Sequence, residues 1–511
     1  MKNSANIYKL LVLLISSLSI AQTPYLQWQK TFGGSLYDSG MGIIPTSDGN
    51  FVIIGNSESA DGDSPTNHGG NDIWLVKILP NGELYGEVTR GGSQYDAASA
   101  IIETTDNGLL IAGESMSNDF AANKGGIDAI MLKLDENGGA DWVQNYGGSG
   151  DDVAVDLIET EDGGVLFVGF TDSEDGDLNQ NFGRLDVWVV KINAQGVIQW
   201  NQTYGGSEND TPKAVIQNSD GNYLIAGQTF SNDNHVTENK GNGDIWLLEI
   251  SPDGTLLWQK TFGGSNVEDA FDLKQTTDDG YLIAGITSSQ DGDVSDGNGG
   301  SDAWILRLDA NKELSWEKNY GGSESEQFRG IELFADDSFV AHGYSNSSDG
   351  DLTENKGDFD FWVMRVDAEG ELIWQKSMGG SDRDYGRGLA VAEDGSYKIV
   401  GYTLSDDGDI DLNKGDYDLW VLSLAADPLS LDELEEIKLK VYPNPVSDFV
   451  HIQSKFPLNN ITIHDLTGKK VKNDFTGKNI VTLNISDLPA GTYVLSIETK
   501  GEIYKQKLLK K

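Results

Sequence analysis

Along most of the chain, short apolar runs alternate with polar, glycine-rich stretches, and the 3.6-residue spacing of an amphipathic helix is absent. One stretch shows the pattern. Trp258-Gln259-Lys260-Thr261-Phe262 places Trp258 and Phe262 on one face of a strand, because same-face positions recur every two residues. A second strand runs from Ala270 to Thr276, and Asp279-Gly280 supplies a tight hairpin turn. The third, Tyr281-Leu282-Ile283-Ala284-Gly285, is apolar on both faces, as a strand between two packed layers must be. A long polar loop follows, and Asp302 to Leu308 forms a fourth strand.

This unit recurs seven times. Gly-Gly-Ser begins at Gly33, Gly91, Gly147, Gly205, Gly263, Gly321 and Gly379, every interval being 58 residues except one of 56, Gly91 to Gly147. A glycine ends the apolar run at Gly55, Gly113, Gly169, Gly227, Gly285, Gly343 and Gly401. An aspartate opens the fourth strand at Asp72, Asp128, Asp186, Asp244, Asp302, Asp360 and Asp418. Four strands per unit and seven units predict an all-β, seven-bladed β-propeller of four-stranded blades over residues 22–425. A β-helix coil needs far fewer residues per turn, and tandem sandwiches need longer units with cores of their own. The strand from Trp28 to Phe32 precedes every other element, while the chain leaves the last repeat near Leu422 without a matching one. It is therefore expected to complete the last blade, which would otherwise keep an unpaired edge.

After the repeats the pattern changes. Residues 426–437 form an acidic linker holding Asp432-Glu433-Leu434-Glu435-Glu436, with a short helix packed on the ring as the alternative. From 438 to 511, apolar and polar residues alternate with turn signals as in a small sandwich. This segment carries Tyr442-Pro443-Asn444-Pro445, then Asp465-Leu466-Thr467-Gly468-Lys469. Further on come Leu488-Pro489-Ala490-Gly491-Thr492-Tyr493 and a closing Lys507-Leu508-Leu509-Lys510. These pieces together resemble the type A C-terminal sorting domain of Bacteroidetes type IX secretion substrates. The resemblance implies a small Ig-like β-sandwich recognised by the outer-membrane translocon, usually cleaved as the mature protein is released or joined to surface lipopolysaccharide. An accessory adhesion domain is the alternative.

The N-terminus agrees with export. Lys2 and Lys9 precede an apolar core from Leu10 to Ile20, and Ser19-Ile20-Ala21 suits a signal-peptidase site, so residues 1–21 read as a signal peptide. That core falls short of the ~20 residues a spanning helix needs, and no other stretch could cross a membrane as a helix. The expected location is secreted or on the outer-membrane surface.

Charge narrows the partners. The net charge is −46, which argues against nucleic acid. Residues 438–511 hold 12 Lys against 6 Asp plus Glu, a net of +6, so the rest carries −46 − 6 = −52. Such asymmetry marks separate modules. There is no cysteine, which removes disulfides and thiolate chemistry.

Three sets of residues are candidates for chemistry. Asp-Gly-Asp recurs in the long loops as Asp61 and Asp63, Asp175 and Asp177, Asp291 and Asp293, Asp349 and Asp351, and Asp407 and Asp409. Paired carboxylates around a flexible glycine suit Ca²⁺, although the spacing is not that of an EF-hand; Asx turns in a polar loop are the alternative. An acidic residue lies three past every Gly-Gly-Ser serine, at Asp38, Asp96, Asp152, Asp210, Glu268, Glu326 and Asp384. These would form either a cation-binding ring or hydrogen-bond acceptors for turn N–H groups. Trp74, Trp188, Trp246, Trp304, Trp362 and Trp420 read as core between blades.

Departures from the repeat speak more directly to function. Repeat two has Tyr85 and Ala129 where tryptophans are expected, and repeats six and seven carry Arg329, Arg383 and Arg387. Those arginines suit an anionic group at a blade edge or in the channel, with drift as the alternative. The histidines share no repeat position, and no nucleophile elbow or phosphate loop occurs, so no catalytic residue is assigned. The expected role is a non-catalytic binding or adhesion module for an extracellular glycan or protein. The alternatives are a polysaccharide-active enzyme with its site at the channel mouth and a structural surface-layer component.

Overall fold

The computed structural model describes residues 23–427 and 440–511, apart from 296, 298, 466–468, 500 and 501. The signal peptide assigned to 1–21 and the acidic run from Asp432 to Glu436 lie outside the described residues. The chain divides into two units, one of them Thr23–Ala426.

That unit contains seven four-stranded antiparallel sheets. Blade one runs through Asp38–Pro45, Phe51–Ser57, Asp72–Ile78 and Leu84–Arg90, each strand pairing with the next. The first strand of each blade touches the first strands of both neighbouring blades, which closes the inner strands into a ring. Blade seven consists of Asp384–Val391, Tyr397–Thr403, Asp418–Leu424 and, as expected, Leu26–Phe32. In that closure Lys30 lies opposite Val421 and Phe32 opposite Leu419. A sequence repeat is consequently not a blade. The segment opening with Trp258 lies in Leu256–Phe262, the outer strand of the preceding sheet.

The middle strands are buried on both faces, which is why they read as apolar throughout; all seven residues of Asp302–Leu308 are buried. Trp74, Trp188, Trp246, Trp304, Trp362 and Trp420 are fully buried, each opposite a landmark glycine on the adjacent strand, as Trp304 is to Gly285. A Cβ at Gly285 would sit 2.1 Å from the Asp269 carbonyl oxygen, so the glycine is required by the close approach of the inner strand. Register corrects the reading of repeat two. Ile130, not Ala129, pairs with Gly113 in the tryptophan position, and Gly86, not Tyr85, pairs with Lys77 where Trp200 pairs with Lys191.

Every inner strand bulges at the same point. Its register skips one residue: Met41, Ser99, Val155, Lys213, Phe271, Arg329 and Arg387 in blades one to seven. A bulge re-aims one side chain off the ladder.

The described part of the second unit is built from the strands Lys440–Tyr442, Phe449–His464, Lys470–Asn484, Gly491–Thr499 and Glu502–Lys510. The long strand Phe449–His464 pairs with both Lys470–Asn484 and Gly491–Thr499. Val450, Ile452, Ile461, Ile463, Leu495 and Leu508 fill its own core, consistent with a small β-sandwich.

Candidate functional site

The Asp-Gly-Asp carboxylates are tied into the loops. Asp349 Oδ1 accepts the Ser323 N–H at 2.8 Å and Asp351 Oδ2 accepts the Gly321 N–H at 3.0 Å. Asp61, Asp175, Asp291 and Asp407 cap Ser35, Ser149, Ser265 and Ser381 in the same way. Asp63, Asp177, Asp293 and Asp409 likewise accept from Gly33, Gly147, Gly263 and Gly379. Each of those four also receives a lysine from the preceding blade's loop, in turn Lys414, Lys124, Lys240 and Lys356. Two repeats without the motif use the same device: Asp119 caps Ser93 at 2.9 Å, and Asp233 caps Ser207 at 2.8 Å with His235 taking the Gly205 N–H at 3.3 Å. Among the described residues, no three metal-ligating side chains converge.

The sevenfold acidic residues are buried and structural. Asp38 Oδ2 accepts the Gly34 N–H and the Ser59 hydroxyl, both at 2.7 Å, while Oδ1 accepts the Ser57 hydroxyl. Glu268 keeps this arrangement with Gly264 and Thr287, both at 2.8 Å. Between blades, six of the seven face the aspartate that opens the third strand of the preceding blade, each pair bracketing the first glycine of a Gly-Gly-Ser turn. Asp418 accepts the Lys414 N–H at 2.7 Å through Oδ2 and leaves Oδ1 buried. Burial, with the Asp384 charge adding to it, pushes the Asp360 carboxyl up to about 7.

Symmetry breaks at the end of the ring where the inner strands begin. Around blades six, seven and one, Tyr344, Phe359, Tyr385, Tyr402, Tyr417 and Tyr37 form a continuous aromatic cluster. Ring centres are 4.9 Å apart for Tyr344–Tyr385, 5.3 Å for both Tyr385–Tyr402 and Tyr402–Tyr417, and 5.8 Å for Tyr37–Tyr417. Tyr385 and Tyr402 are direct cross-strand partners. Corresponding positions in blade four hold Thr211 and Gln228, also cross-strand partners. Most of these rings are partly exposed, and Arg383, paired to Asp358 at 2.7 Å, stands beside them.

Two bulge residues underlie the cluster. Arg329 donates to the Tyr344 hydroxyl at 3.0 Å, and its guanidinium lies 4.4 Å from the Phe271 ring centre. Arg387 donates to the Tyr402 hydroxyl at 2.6 Å and lies 5.9 Å from the Tyr344 ring centre. Both line a cavity of about 190 Å³ with His342, Asp272, Gly42, Gly330 and Gly388. His342 reaches it because Gly330, its cross-strand partner, has no side chain. Burial lowers the His342 pKa to about 4, leaving the ring neutral. Asp272 is tied to the Leu273 N–H at 2.7 Å, the Ile331 N–H at 2.9 Å and Lys274 at 3.5 Å. Of the arginines singled out in the sequence, the structure thus brings two into the channel and one to the rim. The tyrosines were missed, since Tyr95 and Phe170 hold equivalent rim positions in blades two and three and the sequence does not single the cluster out.

Comparison with known proteins gives the following. The Caulobacter vibrioides regulatory protein FlaEY is 23% identical over 224 residues, covering 38% of this chain and 22% of its own length. The chain therefore spans about a fifth of that relative. Among solved structures, PorZ, a surface component of the type IX secretion system of Porphyromonas gingivalis, aligns with a TM-score of 0.39 at 12% identity, over 91% of this chain and 58% of its own. The extracellular domain of a hybrid two-component system from B. thetaiotaomicron aligns with a TM-score of 0.42 at 11% identity, over 96% and 60%. Puromycin hydrolase does so with 0.45 at 10%, over 85% and 62%. Residues 440–511 match the secretion system C-terminal sorting domain, so the chain is a seven-bladed propeller followed by a domain of that family.

Proposed function

We propose that the protein is a type IX secretion substrate whose propeller is a non-catalytic binding module at the cell surface, seating its ligand on the rim of blades six, seven and one. The sorting domain supports the export reading. No helix among the described residues is long and apolar enough to cross a membrane.

The observation that carries the binding reading is the break in symmetry. A feature required by every blade, such as the buried Asp38 arrangement, belongs to the fold; the tyrosine cluster belongs to three blades only. Partly exposed aromatic faces beside polar groups suit the apolar faces of sugar rings, so an extracellular glycan is the preferred ligand class. Propellers host many functions, and the assignment rests on this site rather than on the fold.

The test is a glycan array with the secreted protein, run beside a reducing-end assay on each bound glycan. Binding without turnover, lost in Tyr385→Ala and Tyr417→Ala, is expected. Release of reducing ends would replace this reading with the polysaccharide-active enzyme.

A further inference from the structure

We propose that the cavity beneath the rim captures one carboxylate group of an acidic sugar residue between the guanidinium groups of Arg329 and Arg387. This rests on the binding reading of the rim and names the chemistry of its ligand.

The charges provide the first argument. In a chain of net charge −46, an arginine should find a carboxylate easily. Arg307 does, at 2.6 Å from Asp278, and Arg383 does, at 2.7 Å from Asp358. Among the described residues neither Arg329 nor Arg387 has an ion-pair partner; each is met by a tyrosine hydroxyl and by aromatic faces. The Nε of each is buried without a hydrogen-bond partner. Burial, with Arg387 adding to it, lowers the Arg329 pKa, so the two cations strain against each other. Removing charge from water without compensation is costly, and an anion between them would relieve that cost.

Space gives the second. Blades six, seven and one place Gly330, Gly388 and Gly42 at one register position of their inner strands, where blades three and five have Asp156 and Asp272. The glycines leave about 190 Å³ beside the guanidinium groups. That is room for a single sugar acid. The planar guanidinium fork can hold a carboxylate through two parallel N–H···O bonds. Asp272 also lines the cavity, but its oxygens are taken by two backbone N–H groups and Lys274. Asp269 is paired to Lys213 at 3.8 Å, and burial raises it to about 6 against the opposing pull of the Lys213 and Arg329 charges.

Calorimetric titration of the full chain with sodium glucuronate, glucose and sodium sulfate tests this. Glucuronate is expected to bind at least tenfold more tightly than glucose or sulfate. Arg387→Gln should abolish that preference, and Arg387→Lys should retain part of it. Arg329→Gln provides a second variant should the first lose its near-UV circular dichroism. Equal binding of glucuronate and glucose, sulfate binding as tightly as glucuronate, or arginine variants that bind glucuronate like the parent would overturn the proposal. Neutral glycans that still bind the rim, and are lost in Tyr417→Ala, would show that only the carboxylate inference had failed.

Discussion

Asp418 and Asp38 close on Gly33 from two blades. A Cβ at Gly33 would lie 2.2 Å from Asp418 Oδ1 and 2.9 Å from Asp38 Oδ2. The same bracket recurs at Gly91 with Asp72 and Asp96, and at Gly379 with Asp360 and Asp384. The ring is thus sewn at its blade junctions by pairs of buried carboxylates, with glycine required by the space they leave.

These pairs predict stability that falls as pH rises. Burial, with Asp38 and Asp63 adding like charge, raises Asp418 to about 7 from 3.8, and Asp128, Asp186 and Asp244 rise to about 6. The folded state holds these protons more tightly than the unfolded chain. Their contribution is therefore complete below about pH 4 and lost as pH climbs through 6 to 7. Carboxylates shifted the other way act elsewhere: Thr160 and Lys191 hold Asp162 down at about 2, so its contribution fades only in acid below the normal range. The melting temperature should fall between pH 5 and pH 8, and Asp418→Asn should flatten the fall. A melting temperature that is constant or rises over this window contradicts the assignment.

Gly330 and His342 should behave as one unit. A Cβ at Gly330 would meet His342 Cε1 at 2.5 Å, whereas blades two and four pair alanine with alanine at that register, Ala100 with Ala112 and Ala214 with Ala226. Gly330→Ala should destabilise by roughly 1–3 kcal/mol through overpacking. On a His342→Ala background most of that cost should vanish, as measured by a denaturant double-mutant cycle. Additive effects would mean that the ring can move aside.

The loop carboxylates should act as hydrogen-bond acceptors. Asp407 Oδ1 takes the Ser381 N–H at 2.7 Å, a role that an amide oxygen can fill. Asp407→Asn should therefore cost little, and Asp407→Ala about 1 kcal/mol for the lost bond. If Ca²⁺ were the partner, the asparagine variant would be as damaging as the alanine one and chelator would reproduce the loss. Calorimetry of parent and variants, with EDTA and with added calcium, separates the two; an unchanged parent is the expected result.

The repeat, the blade count and the closing strand were legible because each rests on local periodicity copied seven times. Other features were not, for physical reasons. The bulge that turns Arg329 and Arg387 toward the axis leaves no mark on alternation, since it skips a single residue per strand. Asp119 and His235 do the work of the loop aspartates without matching their motif, because a hydrogen-bond acceptor at the right depth suffices. The rim cluster joins Tyr37 to Tyr402 and Tyr417, which lie at opposite ends of the propeller sequence and meet only when the ring closes.

That closure yields the broadest expectation. Leu26–Phe32 supplies the outer strand of blade seven, and Trp420 Nε1 donates to Gln29 at 2.7 Å across the seam. Phe32 packs in one cluster with Trp74, Leu419 and Val421, so the seam's core spans blades seven and one. Deleting residues 22–34 would strip this strand and leave Asp418–Leu424 as an unpaired, apolar edge. It would also remove Gly33 and Gly34, whose N–H groups Asp63 and Asp38 accept at 3.2 and 2.7 Å. Loss at both places should lower the melting temperature of the whole ring in one transition and promote association through the bared edge. Calorimetry and light scattering check this, and a truncated protein that melts like the parent and stays monomeric would refute the seam's role.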